Sequence, residues 1–411
     1  MKTIRSYRSL GAVVALGTSV ALLAACSSES STDAAADAPT ETAAAESVSQ
    51  ATPRIATSYD GGVLILDATT LDTVEDITGI DGFTRLNPAG DGRHVFVSGS
   101  GAFTALDAGT WTEGSQYYTS TPALTDIKFD ATTPGHVVRH DGKTVLFDDG
   151  TGKVEVFESA ALLEGTKPEA ESYTTPEAHH GVAVELSDGS LLTTVGNEDE
   201  RTGIVVLDAD RNEIARNEDC PGVHGEAVAA NETVVVGCQD GLLIYRDGTI
   251  SKVQSPDAYG RIGNQAGDEN SPVLLGDYKT DPDAELERPT RVSLTDTATG
   301  ELTLVDLGTS YTFRSLGRGP NGEAIVLGTD GALHVIDVNT KAVTKTIPVV
   351  GAWEEPVKWQ EPRPALFVQD GTAYVSEPAT DSVHAVDLAS GTISATGELA
   401  HTPNELTGVT G

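Results

Sequence analysis

Asn321-Gly-Glu-Ala324-Ile-Val-Leu-Gly328-Thr-Asp330-Gly-Ala-Leu333-His-Val-Ile-Asp337, followed by Asn339-Thr-Lys-Ala-Val-Thr-Lys-Thr346, decides the fold. Asn321-Gly322 and Asp330-Gly331 are dipeptides that accept the positive φ of tight hairpin turns. Between and after them lie short apolar runs, too short for helices and rich in β-branched residues. The stretch reads as the last three strands of a four-stranded antiparallel unit whose third strand ends on an acidic residue.

The same ending recurs along the chain. It appears at Val63-Leu-Ile-Leu-Asp67, Phe103-Thr-Ala-Leu-Asp107, Val154-Glu-Val-Phe-Glu158 and Ile204-Val-Val-Leu-Asp208. It appears again at Leu242-Leu-Ile-Tyr-Arg246, where Asp247 follows directly, and at Val292-Ser-Leu-Thr-Asp296, Leu333 to Asp337 and Val383-His-Ala-Val-Asp387. A period of roughly 40–50 residues with strand-turn chemistry inside each unit is the signature of a β-propeller. The reading is all-β, an eight-bladed propeller over residues 54–411, with seven blades if one of these endings is false. Before Val63 there is room for one strand, Arg54 to Tyr59, and after the last unit one remains, Asn404 to Thr410. The C-terminal strand is therefore expected to complete the N-terminal blade, removing exposed edges.

The N-terminus carries Lys2, Arg5 and Arg8 before an apolar run from Leu10 to Ala25. This is the pattern of an export signal over residues 1–25. Leu23-Ala-Ala-Cys26 resembles a bacterial lipobox, which implies cleavage before Cys26 and lipid on its thiol. Residues 26–53 are rich in Ser, Ala, Thr, Asp and Glu and read as a disordered, lipid-anchored acidic linker. The expected location is extracytoplasmic, with the lipid on Cys26 as the contact with the cell membrane. Loss of residues 1–25 takes the formal charge from −36 to −39. So acidic a chain argues against nucleic-acid partners.

Cys26 aside, the cysteines are Cys220 and Cys238. Outside the cytoplasm such a pair oxidises readily, and neighbouring strands can bring it within bridging distance. A disulfide is expected, with two thiolates on zinc as the alternative.

The chain has nine histidines, and three are spaced by 44 residues: His136, His180 and His224. His136 lies 22 residues before Glu158, His224 lies 22 before Arg246, and His180 lies 28 before Asp208. The extra length fits a longer hairpin around Asn197 to Gly203. All three are then expected to open the innermost strand of consecutive blades, where strand starts ring one mouth of the channel. Zinc suits such a set, because it takes imidazole nitrogen and tolerates three protein ligands plus one exchangeable position. Further ligands or supporting residues are His140, His179, Glu226, Asp126 and His401. His334 and His384 fall on third strands and read as structural, and His94 reads as a surface residue. Arg85, Arg314 and Arg363 occupy comparable strand starts on other blades, where they either pair with carboxylates or bind an anion. No nucleophile elbow, phosphate loop or His-Glu-x-x-His motif is present, so no catalytic residue is assigned.

Pro134-Gly-His136-Val-Val-Arg-His140-Asp-Gly142, Leu146-Phe-Asp-Asp-Gly-Thr-Gly152, Ala178-His-His180-Gly-Val-Ala-Val184 and Gly222-Val-His224-Gly-Glu-Ala227 resemble the exported zinc metallochaperones of the AztD family. The resemblance implies a propeller that binds Zn2+ through His136, His180 and His224 and delivers it to the solute-binding protein of a zinc ABC importer. The expected molecule is a monomer and not an enzyme. A metal-dependent, lactonase-like propeller hydrolase and a metal-free interaction scaffold are the alternatives. Some relatives carry a His-rich N-terminal motif, whereas the linker here contains no histidine, so no second mobile metal site is expected.

Overall fold

The protein is described by a computed structural model covering residues 45–99 and 101–411. The export signal, Cys26 and the linker up to residue 44 lie outside the described residues. Apart from two short 3-10 turns, the described elements are strands.

Among the described residues the chain forms eight four-stranded antiparallel sheets and one small three-stranded sheet, an arrangement consistent with a β-propeller. Seven of the eight follow one another in sequence; the eighth joins the two ends of the chain. There Leu406–Val409 pairs with Arg54–Tyr59, with Arg54 opposite Val409 and Thr57 opposite Leu406. Every acidic ending singled out above closes, or directly follows, the third strand of one sheet: Gly61–Asp67, Ala102–Asp107, Lys153–Glu158, Arg201–Leu207, Gly241–Arg246, Arg291–Asp296, Ala332–Asp337 and Ser382–Asp387. These carboxylates have a local task. Asp67, Asp296 and Asp337 each accept backbone N–H bonds from the residues two and three positions on, which closes the turn into the fourth strand.

Burial explains why the middle strands read as continuous apolar runs. Thr233–Cys238 is buried at every position, and so is all of Gly241–Arg246 except its last residue. Both faces of each sheet pack on neighbouring sheets, so alternation is lost. The outermost strands face solvent on one side and keep it, as in Ala342–Pro348. One core unites Val145 and Phe147 with Val184, Leu191, Val234 and Val236, from three consecutive sheets. Another unites Ile55, Leu64 and Leu66 with Tyr374, Val383 and Ala385, packing the last complete sheet against the one that joins the termini.

Two features depart from the sequence reading. After Ala102–Asp107 the chain inserts a hairpin, Thr110–Glu113 and Gln116–Thr119, turning at Gly114. Glu46–Val48, within the span read as linker, pairs with its second strand, Glu46 opposite Thr119. The outer strand of that sheet is therefore Ala123–Asp130, paired with Ala102–Asp107, so Asp126 lies at the rim and not on an innermost strand.

Cys220 and Cys238 form a disulfide. It ties the segment entering His224–Ala229 to the end of Thr233–Cys238, next to the His224–Gly237 pair. Closing a loop of this size stabilises by about 3 kcal/mol, chiefly by restricting the unfolded chain. Thiol titration of the denatured, unreduced domain is expected to find neither cysteine reactive. Reduction should lower the melting temperature; two free thiols before reduction would contradict the bridge.

Candidate metal centre

Antiparallel sheets whose first strands are all innermost bring the starts of those strands to one face. His136 lies in Pro134–His140 and His224 opens Val223's successor strand His224–Ala229, while His180 precedes Ala183–Glu185. Both full strands carry a register shift at the histidine, between Pro134 and Val137 and between His224 and Glu226. Such bulges re-aim a side chain that regular pleating would send elsewhere. Gly225 takes the left-handed conformation, φ +70°, and a Cβ there would strike the Gln265 side chain and the Gly263 carbonyl. Gly135 is required for a different reason: a Cβ would collide with the Asp149 carboxylate, which passes beneath the strand.

One ring nitrogen from each of His136, His180 and His224 lies within 4.8 Å of the others, and among the described residues no carboxylate belongs to this group. Ring centroids are 5.2 Å apart for His136–His180, 6.0 Å for His136–His224 and 5.0 Å for His180–His224. Each Nδ1 has a partner. His224 Nδ1–H donates to the Gly263 carbonyl at 2.5 Å, and His180 Nδ1–H donates to Asp149 Oδ2 at 2.5 Å. His136 Nδ1 lies 3.3 Å from Glu226 Oε2. In His180 and His224, donation from Nδ1 fixes the tautomer and leaves the Nε2 lone pair available, as in metal-ligating histidines held by a carboxylate or carbonyl. His180 Nε2 and His224 Nε2 face each other at 3.1 Å. Two lone pairs at that range repel unless a cation or proton lies between them. Tetrahedral zinc with ligand bonds of about 2.0–2.1 Å would place two nitrogens about 3.3 Å apart. The donor set therefore fits zinc with three neutral ligands and one open position. The His180 side chain is 43% exposed, so that position is reachable from solvent.

Burial, reinforced by the nearby His136, Arg261 and His180 charges, pushes His224 well below the usual histidine range, against the opposing Gly263 bond. His224 is thus held neutral, the form that binds metal.

The other residues named from the sequence are placed elsewhere or take other tasks. Glu226 braces His136 through Nδ1. His179 is buried; its Nδ1–H donates to Glu177 O at 3.0 Å and its Nε2 accepts from the Thr194 hydroxyl at 2.9 Å, bracing the chain beside His180 without joining the triad. His140 lies at the far end of the His136 strand with both nitrogens engaged, by Glu269 and Glu232, each at 2.9 Å. Asp126 is excluded by its outer-strand position, and His401 stacks on Tyr59 at 4.0 Å with Nε2 3.3 Å from Asp76, on the outer strand Thr73–Ile80. His334 pairs with Asp330, and His384 lies among Ser382, Thr396 and Glu377, all within their own sheets. His94 is buried, not a surface residue, with Nδ1 2.5 Å from Asp91. The arginines at matching strand starts are paired: Arg314 with Glu405 at 2.5 Å, Arg85 with Glu405 at 3.7 Å, and Arg363 with Glu355 at 2.7 Å. Sequence reasoning missed Asp149; its only signal was membership of the Asp148-Asp149-Gly150 turn.

Comparison with known proteins bears out the resemblance. A curated Citrobacter koseri protein described as zinc chaperone AztD is 25% identical over 280 residues, covering 66% of this chain; the chain spans 64% of that relative's length. The crystal structure of Citrobacter koseri AztD superposes with a TM-score of 0.74 at 23% identity, over 88% of this chain and 99% of that one. The apo AztD structure from the same organism gives 0.73 at 22%, over 88% and 98%. A dihydro-heme d1 dehydrogenase, NirN, shares the fold more distantly, with a TM-score of 0.56 at 10% identity, over 87% of this chain and 74% of that one. No family model matches the chain.

The neutral, half-buried His224 sets the sign of a pH effect on the metal-free protein. Its folded pKa lies below the unfolded value near ~6.5, so below that pH the unfolded chain takes up a proton that the folded chain does not. Stability should fall as pH drops from about 7 to 5.5. His179, also lowered mainly by burial, adds to the same slope. Urea midpoints across this range should show a shallower fall in His224→Ala than in wild type; identical slopes would contradict the assignment.

Proposed function

We propose that this chain is an extracytoplasmic zinc metallochaperone that holds Zn2+ on His136, His180 and His224 and delivers it to the solute-binding protein of a zinc ABC importer. The observation that carries the reading is the convergence of three imidazoles with their Nδ1 atoms engaged. Metal held this way is exchangeable, because three neutral ligands and an exposed His180 leave a position that an incoming ligand can occupy. The likeness to a protein described as a zinc chaperone supports zinc as cargo, and no catalysed reaction is proposed.

The remaining architecture is proposed with it. The eight sheets are read as the blades of an eight-bladed propeller, closed by Leu406–Val409 against Arg54–Tyr59; the pairing of the chain ends and the core shared by Ile55 and Val383 support this. Residues 1–25 are read as the signal peptide, residues from Cys26 as a lipid-anchored linker, and residues 54–411 as the propeller of a monomer attached to the bacterial cell membrane. Among the described residues no helix is long and apolar enough to cross a membrane.

Competitive zinc titration tests the site. Alanine at His136, His180 or His224 should each weaken zinc binding by on the order of 100-fold or more, and Asp149→Asn by about 10–100-fold through loss of the His180 orientation. His334→Ala and His384→Ala should leave it unchanged, with circular dichroism as the fold control. Affinity should fall as pH drops through ~6.5, where protons compete for imidazole. Wild-type stoichiometry in all three triad variants would overturn the site.

A further inference from the structure

We propose that Arg201 and Arg261 form an anion-binding site beside the histidine triad, and that a small carboxylate from the surrounding medium occupies it when metal is bound, completing the metal's coordination. The inference rests on the metal reading above and adds the chemical class of the fourth ligand.

The two arginines differ from those at the other strand starts. Arg85, Arg314 and Arg363 each have a carboxylate within ion-pair range. Arg201 and Arg261 have none among the described residues, and Arg201 Nη1 is buried without any hydrogen-bond partner. An unpaired buried guanidinium nitrogen is costly unless something outside the chain satisfies it. Topology puts both at the histidine face. Arg201 opens the third strand of the sheet that His180 enters, and Arg261 precedes the innermost strand Gln265–Ala266. Gly222 N–H donates to Arg201 O and Ile262 N–H donates to Cys238 O, and the Cys220–Cys238 bridge joins these two segments. Arg261 folds over Gly263, whose carbonyl holds His224, so closely that a Cβ there would meet its guanidinium. The two guanidinium charges act on each other, and Arg261 also acts on His224. Nearby carboxylates do not neutralise them directly. Asp149 bonds His180 and the Gly181 N–H, and Asp277 accepts the Gly263 and Asn264 N–H groups through Oδ1; both act on the arginines only through space.

Charge then decides the ligand. Three neutral imidazoles bring the metal no anionic ligand. The protein supplies no fourth donor within the nitrogen cluster. A carboxylate can place one oxygen on the metal and accept guanidinium N–H bonds with the other, the planar geometry for which arginine is suited. Metal and anion should therefore bind cooperatively.

Cobalt-loaded protein tests this, because Co2+ on the triad has a visible ligand-field band sensitive to its fourth ligand. Acetate, titrated at constant ionic strength in a non-coordinating buffer, should shift the wild-type band saturably. In Arg201→Gln/Arg261→Gln, cobalt stoichiometry serves as the control, and acetate affinity should fall at least tenfold. Arg201→Lys/Arg261→Lys, which keeps both charges but not the planar fork, should give an intermediate value. Either single Arg→Gln variant carries the test if the double variant does not fold. Acetate affinity within twofold of wild type in the Gln variants would overturn the anion site while leaving the metal site standing. Absence of a cobalt band in wild type, or its persistence in His180→Ala, would overturn the metal reading and this inference with it.

Discussion

Antiparallel pairing between Leu406–Val409 and Arg54–Tyr59 is the constraint on which the rest depends. Sheets that are apolar on both faces need a neighbour on each side, and the first and last in a row would otherwise expose one face and leave edges open. Joining the chain ends in one sheet pairs those edges and packs that sheet against the last complete one. The pairing is reinforced at its start: Glu405 N–H donates to Ser58 Oγ, Thr57 Oγ1–H donates to Glu405 O, and the Glu405 carboxylate pairs with Arg314. Burial lowers Arg314 to about 10, with Glu405 opposing, so it stays charged at neutral pH and the pair persists. Removing one partner would strand a buried charge, which is far more costly than the pair is stabilising.

That scaffold turns spacing into geometry. Three histidines 44 residues apart reach one place because consecutive sheets present equivalent strand starts on one face. The scaffold alone does not aim them. Bulges at His136 and His224, the carbonyl of Gly263, and the Asp149 carboxylate reaching past Gly135 do so. The face is asymmetric: histidines occupy three consecutive strand starts, and arginines paired with Glu405 and Glu355 occupy others.

Much of this was legible in the residues, for identifiable reasons. The turn dipeptides and apolar endings marked every third strand, because both act locally and recur. His180-Gly181 and His224-Gly225 share a context that reflects one structural position. What was not legible depended on departures from the repeat or on distant partners. The Thr110–Thr119 hairpin is polar and aromatic, so it resembled loop, and it moved Asp126 to the sheet rim. His401 was drawn away by stacking on Tyr59, a contact no spacing encodes. His94 looked like a surface residue because its buried partner Asp91 sits in an ordinary polar turn. Asp149 is one of 62 acidic residues and only three-dimensional approach distinguishes it.

The most direct test of the central claim is an anomalous-difference map from crystals of the untagged protein loaded with zinc, collected on both sides of the zinc absorption edge. The account expects one strong peak, about 2.0–2.1 Å from one nitrogen each of His136, His180 and His224. A peak at His140, His401 or another carboxylate cluster, with none at the triad, would contradict it.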